Sequence, residues 1–108
     1  MSLVDPTIWD EDKSQELALA FMSINNKSQA EAFLSDIMTK VEIEEFSNRL
    51  RAAKMHKNGA SYDAVQLETK MSTTTIARIS KWLKKGAGGY ELALRQISES
   101  NETHHSHM

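Results

Sequence analysis

The side chains in this sequence best suited to chemistry are concentrated in the run Ser72-Thr73-Thr74-Thr75-Ile76-Ala77-Arg78 and the lysines that follow it, Lys81, Lys84 and Lys85. Short hydroxyls at the start of a helix can reach bases and phosphates, the helix N-terminus itself attracts a phosphate, and an arginine can donate two bonds to a guanine edge. The lysines would add phosphate contacts and salt sensitivity. Gln66, Ser72, Thr73, Thr74, Ala77, Arg78 and Lys81 are therefore the expected contacts to double-stranded DNA.

Other chemistries find less support. Catalysis needs a nucleophile beside a base, a paired carboxylate site or a phosphate-binding loop, and no recognisable version of these is present, so no enzyme and no cofactor are expected. His104, His105 and His107 lie in a polar terminal stretch without a fixed second ligand set, which points to adventitious binding and no metal site. His56 falls near the end of a helix, where its electrostatic effect on the helix terminus is the simplest role. Glu42, Glu44 and Glu45 suit the N-terminal end of the same helix.

The net charge of −2 is an objection to nucleic-acid binding, but the charges are segregated. Acids crowd the first half, whereas Lys70, Arg78, Lys81, Lys84 and Lys85 follow one another with no acid between Glu68 and Glu91.

To present that face, the chain must place Ser72 at the start of a helix that packs steeply on the one before it. The periodicity fits: Ser61 can cap a short helix through Val65 and Leu67, Met71 and Ser72 make a turn, and the next helix carries Ile76, Ile79, Trp82 and Leu83. Val65, Met71, Ile76 and Ile79 fall on the inward side, giving a helix-turn-helix over about 62–83. Upstream, Leu17, Leu19, Ala20, Phe21 and Ile24 mark a first helix, with Trp9 packing back on it. Ser28 with Glu31 reads as a capping box for a second helix, and Thr39 with Glu42 as another for a third, which Gly59 is placed to end. Tyr90, Leu92, Ala93, Leu94 and Ile97 form a last amphipathic helix. The fold class is all-α, about six helices. The plan is a flexible lead-in over 1–12, a helical domain over 13–97 and a disordered polar tail over 98–108.

Phe33-Leu34 and Thr39, Arg49-Leu50-Arg51, Gly59-Ala60-Ser61 and the run from Ser72 to Arg78 resemble the Trp-repressor-like family, in particular its YerC/YecD branch. The resemblance covers roughly residues 15–97 and is closest from Lys70 to Leu94. It implies an intertwined homodimer built from N- and C-terminal helices, with two helix-turn-helix readers on successive major grooves, and hence a transcription regulator, most simply a repressor. It also implies an effector question. Arg49 and Arg78 match the two arginines that sandwich an indole in tryptophan-binding members, and Thr39 matches a helix-junction position of the same pocket. Ile79 stands where those members have glycine, and its branched side chain takes space the indole needs, so tryptophan is not the expected effector. Lys70 likewise replaces a frequent turn glycine.

The residues alone leave other readings open: an αα-hairpin with a solvated basic face, a helical module that binds a protein through an apolar groove, or a nonspecific DNA binder. A domain of 108 residues buries only a modest core, so a partner subunit is expected to cover part of its apolar surface. With no cysteine, no run of roughly 20 apolar residues and no signal-peptide layout at the start, the expectation is a cytoplasmic protein without membrane contact.

Overall fold

Most of the helix boundaries are set by short polar signals at their ends. In the computed structural model, whose described residues are 5–106 for the backbone and 5–99 for the side chains, six α-helices follow a short 3-10 helix at Pro6–Asp10. They are α1 (Asp12–Met22), α2 (Lys27–Ile37), α3 (Lys40–Lys57), α4 (Tyr62–Thr69), α5 (Thr73–Lys85) and α6 (Gly89–Ser106). There is no strand among the described residues.

The 3-10 helix falls within the lead-in. The Asp5 carboxylate accepts from the Thr7 amide at 3.0 Å and from the Thr7 hydroxyl at 2.6 Å, while Pro6 supplies a φ already suited to the first position. Those two bonds, the hydroxyl's the larger influence, hold the Asp5 carboxyl below the usual carboxylate range. Gln15 Nε2 donates to the Trp9 carbonyl at 2.7 Å and ties this turn to α1.

The cap of α2 differs from the Ser28–Glu31 expectation. Asn26 is the N-cap, accepting from the Gln29 amide at 2.9 Å, while Gln29 Oε1 accepts from the Asn25 amide at 2.9 Å. Asn caps as well as Ser, and once it starts the helix Ser28 falls inside the first turn. At α3 the expected box forms: the Glu42 amide donates to Thr39 Oγ1 at 3.2 Å and the Thr39 amide to Glu42 Oε1 at 2.9 Å. The Thr39 backbone bond, then its side-chain bond, lowers the Glu42 carboxyl. A depressed carboxyl contributes stability above its unfolded-state value and loses it as pH falls through the folded one, so this cap weakens in acid.

Gly59 ends α3 with φ +88°; its amide donates to the His56 carbonyl at 3.0 Å and that of Ala60 to the Met55 carbonyl at 2.9 Å, the paired bonds of a Schellman motif. Ser61 then caps α4 and Ser72 caps α5, accepting from Ala64 N at 3.1 Å and Thr75 N at 3.2 Å. Between them Lys70 takes the left-handed conformation, φ +60°. Its amide still closes α4 on the Gln66 carbonyl at 2.7 Å. For a residue with a Cβ that conformation costs roughly 1–2 kcal/mol. Lys70→Gly should therefore raise the thermal midpoint, the stability gain being about 1 kcal/mol after glycine's greater unfolded-state entropy is subtracted; a lower midpoint would show that the lysine side chain contributes more than its backbone loses.

Gly86 closes α5 for a different reason. A Cβ there would lie 2.5 Å from the Trp82 carbonyl oxygen, so only glycine admits this exit from the helix. Downstream, α6 runs to Ser106, beyond the Ile97 limit read from apolar periodicity, and no glycine or proline interrupts 98–106.

The chain divides into two compact units, residues 5–46 and residues 47–106, with the division inside α3. In the first, none of the described residues is fully buried; Phe21 and Phe33 meet edge to face at 5.4 Å, yet Leu19, Phe21, Met22 and Val41 are exposed. The second holds the core: Ala52, Ala53, Val65, Ile76, Ile79 and Leu94, flanked by Leu50, Met55, Ala60, Met71, Trp82, Leu83 and Tyr90. The two alanines let α3 lie close beneath α4 and α5, and the inward set read from the sequence, Val65, Met71, Ile76 and Ile79, packs there together.

Candidate nucleic-acid interface

The reader unit is α4, the three-residue connection Lys70-Met71-Ser72, and α5. The connection is stitched by Thr69, 5% exposed, whose hydroxyl donates to the Val65 carbonyl at 2.8 Å and accepts from the Met71 amide at 3.3 Å. Sequence reasoning passed over this threonine. The signal available was its place in the last turn of a short helix, where a hydroxyl can bond back four residues.

On α5 the inward positions Ile76, Ile79 and Ser80 are buried, whereas Thr73, Thr74, Arg78 and Lys81 are exposed and engage no partner among the described residues. Helical geometry places 73, 77 and 81 along one row and 74 and 78 along the next, so these side chains form one face that includes the leading end of the helix. Ala77, expected on that face, is half-buried and lies at its margin. Ser72 is exposed, and its hydroxyl accepts the cap bond of α5 and shares a 2.9 Å hydrogen bond with Thr75 Oγ1. The Thr73 and Thr74 amides lie in the first turn, where a helix has no internal acceptors. Gln66 is exposed on α4, where it lines an open depression with Asp63, Leu67 and Lys70.

Charge follows the same division. Lys70, Arg78, Lys81, Lys84 and Lys85 are all exposed. The acids at either end of this stretch are drawn to cations of α3: Glu68 pairs with Arg51 at 3.5 Å and Glu91 with Lys57 at 3.0 Å. As exposed pairs they add little stability, and they turn both acids toward α3 instead of toward an α5 cation. Neither pair is visible in the sequence, because its partners lie far apart along the chain.

The candidate effector residues are Thr39, Arg49 and Arg78. Thr39 lies in the unit 5–46 and is committed to the α3 capping box. Arg78 is exposed on α5. The Arg49 guanidinium lies over the Trp82 ring, 6.0 Å from its centroid, so the chain's own indole occupies that cation's neighbourhood. Tyr90 belongs to the same cluster: burial raises its hydroxyl, and the nearby Arg49 charge works the other way. Ile79, 1% exposed, is packed in the core. Among the described residues no group of three or more His, Asp or Glu could hold a metal ion, and no helix is long and apolar enough to cross a membrane. The side chains of His104, His105 and His107 lie outside the described residues.

Comparison with known proteins decides the family. The family described as Trp repressor protein matches residues 12–98, which include all of the reader and most of both units. The chain belongs to the Trp repressor family. Within it, this Trp repressor family member is similar to YerC, an uncharacterised protein of Bacillus subtilis (strain 168), at 33% identity over 85 residues that cover 79% of this chain and 82% of YerC. A candidate Trp repressor from Staphylococcus aureus has a similar crystal structure: TM-score 0.79, 29% identity, covering 88% of this chain and 95% of that one. A TrpR-like protein from Eubacterium eligens ATCC 27750 gives a TM-score of 0.75 at 28% identity, covering 82% and 91%. The all-α fold and the YerC-like branch expected from the sequence are thus those of its relatives.

Proposed function

We propose that this chain is a double-stranded DNA-binding transcription regulator, a repressor of sequence-defined sites, that acts as a homodimer and reads DNA with the helix-turn-helix at about 62–83. The observation that carries this is the face of α5 on which Thr73, Thr74, Arg78 and Lys81 are exposed and uncommitted while the flanking acids pair with α3. Family membership supports it. In this reading Arg78 reads a guanine edge, Gln66, Thr73 and Thr74 contact bases or phosphates, Ala77 gives close approach at the margin, and Lys81, Lys84 and Lys85 neutralise phosphates.

Three such lysines per protomer make six phosphate contacts per dimer, so affinity for duplex DNA should fall about 10³-fold between 50 and 200 mM salt. Titration of a random-sequence duplex at the two salt concentrations tests it. Absence of salt-dependent binding would favour the other reading, a helical module that docks on a protein partner. The observation behind that alternative is Leu67, which is 82% exposed on α4.

The homodimer is supported by apolar surface that one chain leaves uncovered: Leu19, Phe21, Met22, Val41 and, on α6, Leu92 and Ile97. A small domain with its first helices this exposed needs a second copy to bury them. Sedimentation at micromolar concentration should give a dimer, and a clean monomer would contradict the intertwined arrangement.

An effector is not required by this reading, and tryptophan is disfavoured. Ile79 fills the core where an indole would need space, and Arg49 faces the Trp82 ring. Calorimetric titration with L-tryptophan should give no saturable heat; a clear isotherm would show that Ile79 and Trp82 yield to a ligand.

A further inference from the structure

The reader is seated on the core by apolar contacts, which resist separation but have no direction, so they permit small rotations of α5 about its own axis. Rotation matters at the reading face. Side chains extend about 5–6 Å from a helix axis, so a turn of about 20° displaces their tips by about 2 Å. A base contact with a donor–acceptor window of roughly 2.7–3.2 Å does not survive that displacement. Something directional must fix the rotation.

One polar contact between elements is placed to do so. Ser80, 8% exposed, stands on the inward side of α5 between Ile79 and the half-buried Trp82, and its Oγ shares a 2.9 Å hydrogen bond with Nε2 of His56 in the last turn of α3. A serine inside a helix commonly bonds back to a carbonyl one turn earlier; this one reaches across to another helix instead. The His56 ring also meets the Tyr62 ring of α4 at 6.0 Å, so one side chain touches both helices of the reader. Its Nδ1 is buried and has no hydrogen-bond partner among the described residues, leaving Ser80 as the imidazole's polar anchor. The other side-chain pairs to α3 described above, Arg51–Glu68 and Lys57–Glu91, are exposed and run to α4 and α6, so neither fixes the rotation of α5.

We propose that His56 and Ser80 are positioning residues: their hydrogen bond sets the rotation of α5 on α3, and through it the sequence discrimination of the reading face. This rests on the DNA-reading function proposed above, and neither residue belongs to that face.

The test uses the full chain carrying His56→Phe together with Ser80→Ala. Replacing both partners by apolar groups leaves no orphaned polar atom, so stability should stay near that of the unchanged protein while the directional bond is lost. Amide hydrogen exchange of the free protein should then be about tenfold faster along α5 and unchanged around Ala52 and Ala53, on the scale of one hydrogen bond. Discrimination between the site the unchanged protein selects and a scrambled duplex should fall about tenfold, with affinity for the scrambled duplex unaltered. If the double variant does not fold, Ser80→Ala alone serves, read by the same two measurements. Unchanged exchange along α5 would overturn the positioning role, and faster exchange with full discrimination would overturn its link to sequence reading. If the unchanged protein selects no site, the proposed function fails, and exchange along α5 still decides whether the bond positions the helix.

Discussion

Arg78→Ala is expected to abolish most of the preference for the selected DNA site while leaving the fold intact. Arg78 is exposed on α5 and engages no partner among the described residues, so its truncation creates no cavity and strands no buried group, and the unfolding free energy should change by no more than about 0.5 kcal/mol. A guanine-reading arginine contributes about 1–3 kcal/mol of discrimination, and a homodimer carries two, so specific affinity should fall at least about 30-fold. Lys81→Ala is the control: loss of a phosphate contact weakens binding to all sequences alike and reduces the salt slope by about one per protomer. Unchanged affinity of the Arg78 variant for the selected site would remove Arg78 from the reading face.

Ile76→Ala should have the largest effect on stability. Ile76 is 1% exposed and packs with Val65, Ile79 and Ala53 where α5 meets the core, so truncation removes buried methyl groups and leaves a cavity. Such substitutions cost about 2–5 kcal/mol, a large part of the roughly 5–15 kcal/mol that a domain has in total. Urea unfolding at fixed protein concentration should show a loss of about 3 kcal/mol, with DNA binding lost in parallel at temperatures where the variant is partly unfolded. A cost below about 1 kcal/mol would mean that α5 is not seated through this side chain.

The reader was legible in the sequence because its signals are local. Ser61, Ser72 and the Thr39–Glu42 box each act within three residues, Gly59 is the residue that most easily takes the positive φ at its position, and Val65, Met71, Ile76 and Ile79 reveal their shared side by spacing alone. Where two local signals compete, the sequence misleads: Asn26 and Ser28 both suit a cap, and the Gln29 side chain decides for Asn26 by bonding the Asn25 amide. Apolar periodicity ended α6 too early because a helix without an apolar stripe can continue on residues that merely permit it. Long-range pairs were not legible. Nothing near Arg49 announces Trp82, and nothing near His56 announces Ser80, because each partner is brought in by the packing of α5 on α3. His56 sits in the last turn of α3, and its defined contact is the bond to Ser80.

Whether α5 reads a DNA sequence is answered by selection from random double-stranded DNA followed by titration of the winning site. A DNA-reading α5 should enrich a pseudo-palindrome with half-sites about one helical turn apart, or a multiple of it, bound without any added amino acid. Failure to enrich any sequence under conditions where the protein is folded would contradict it.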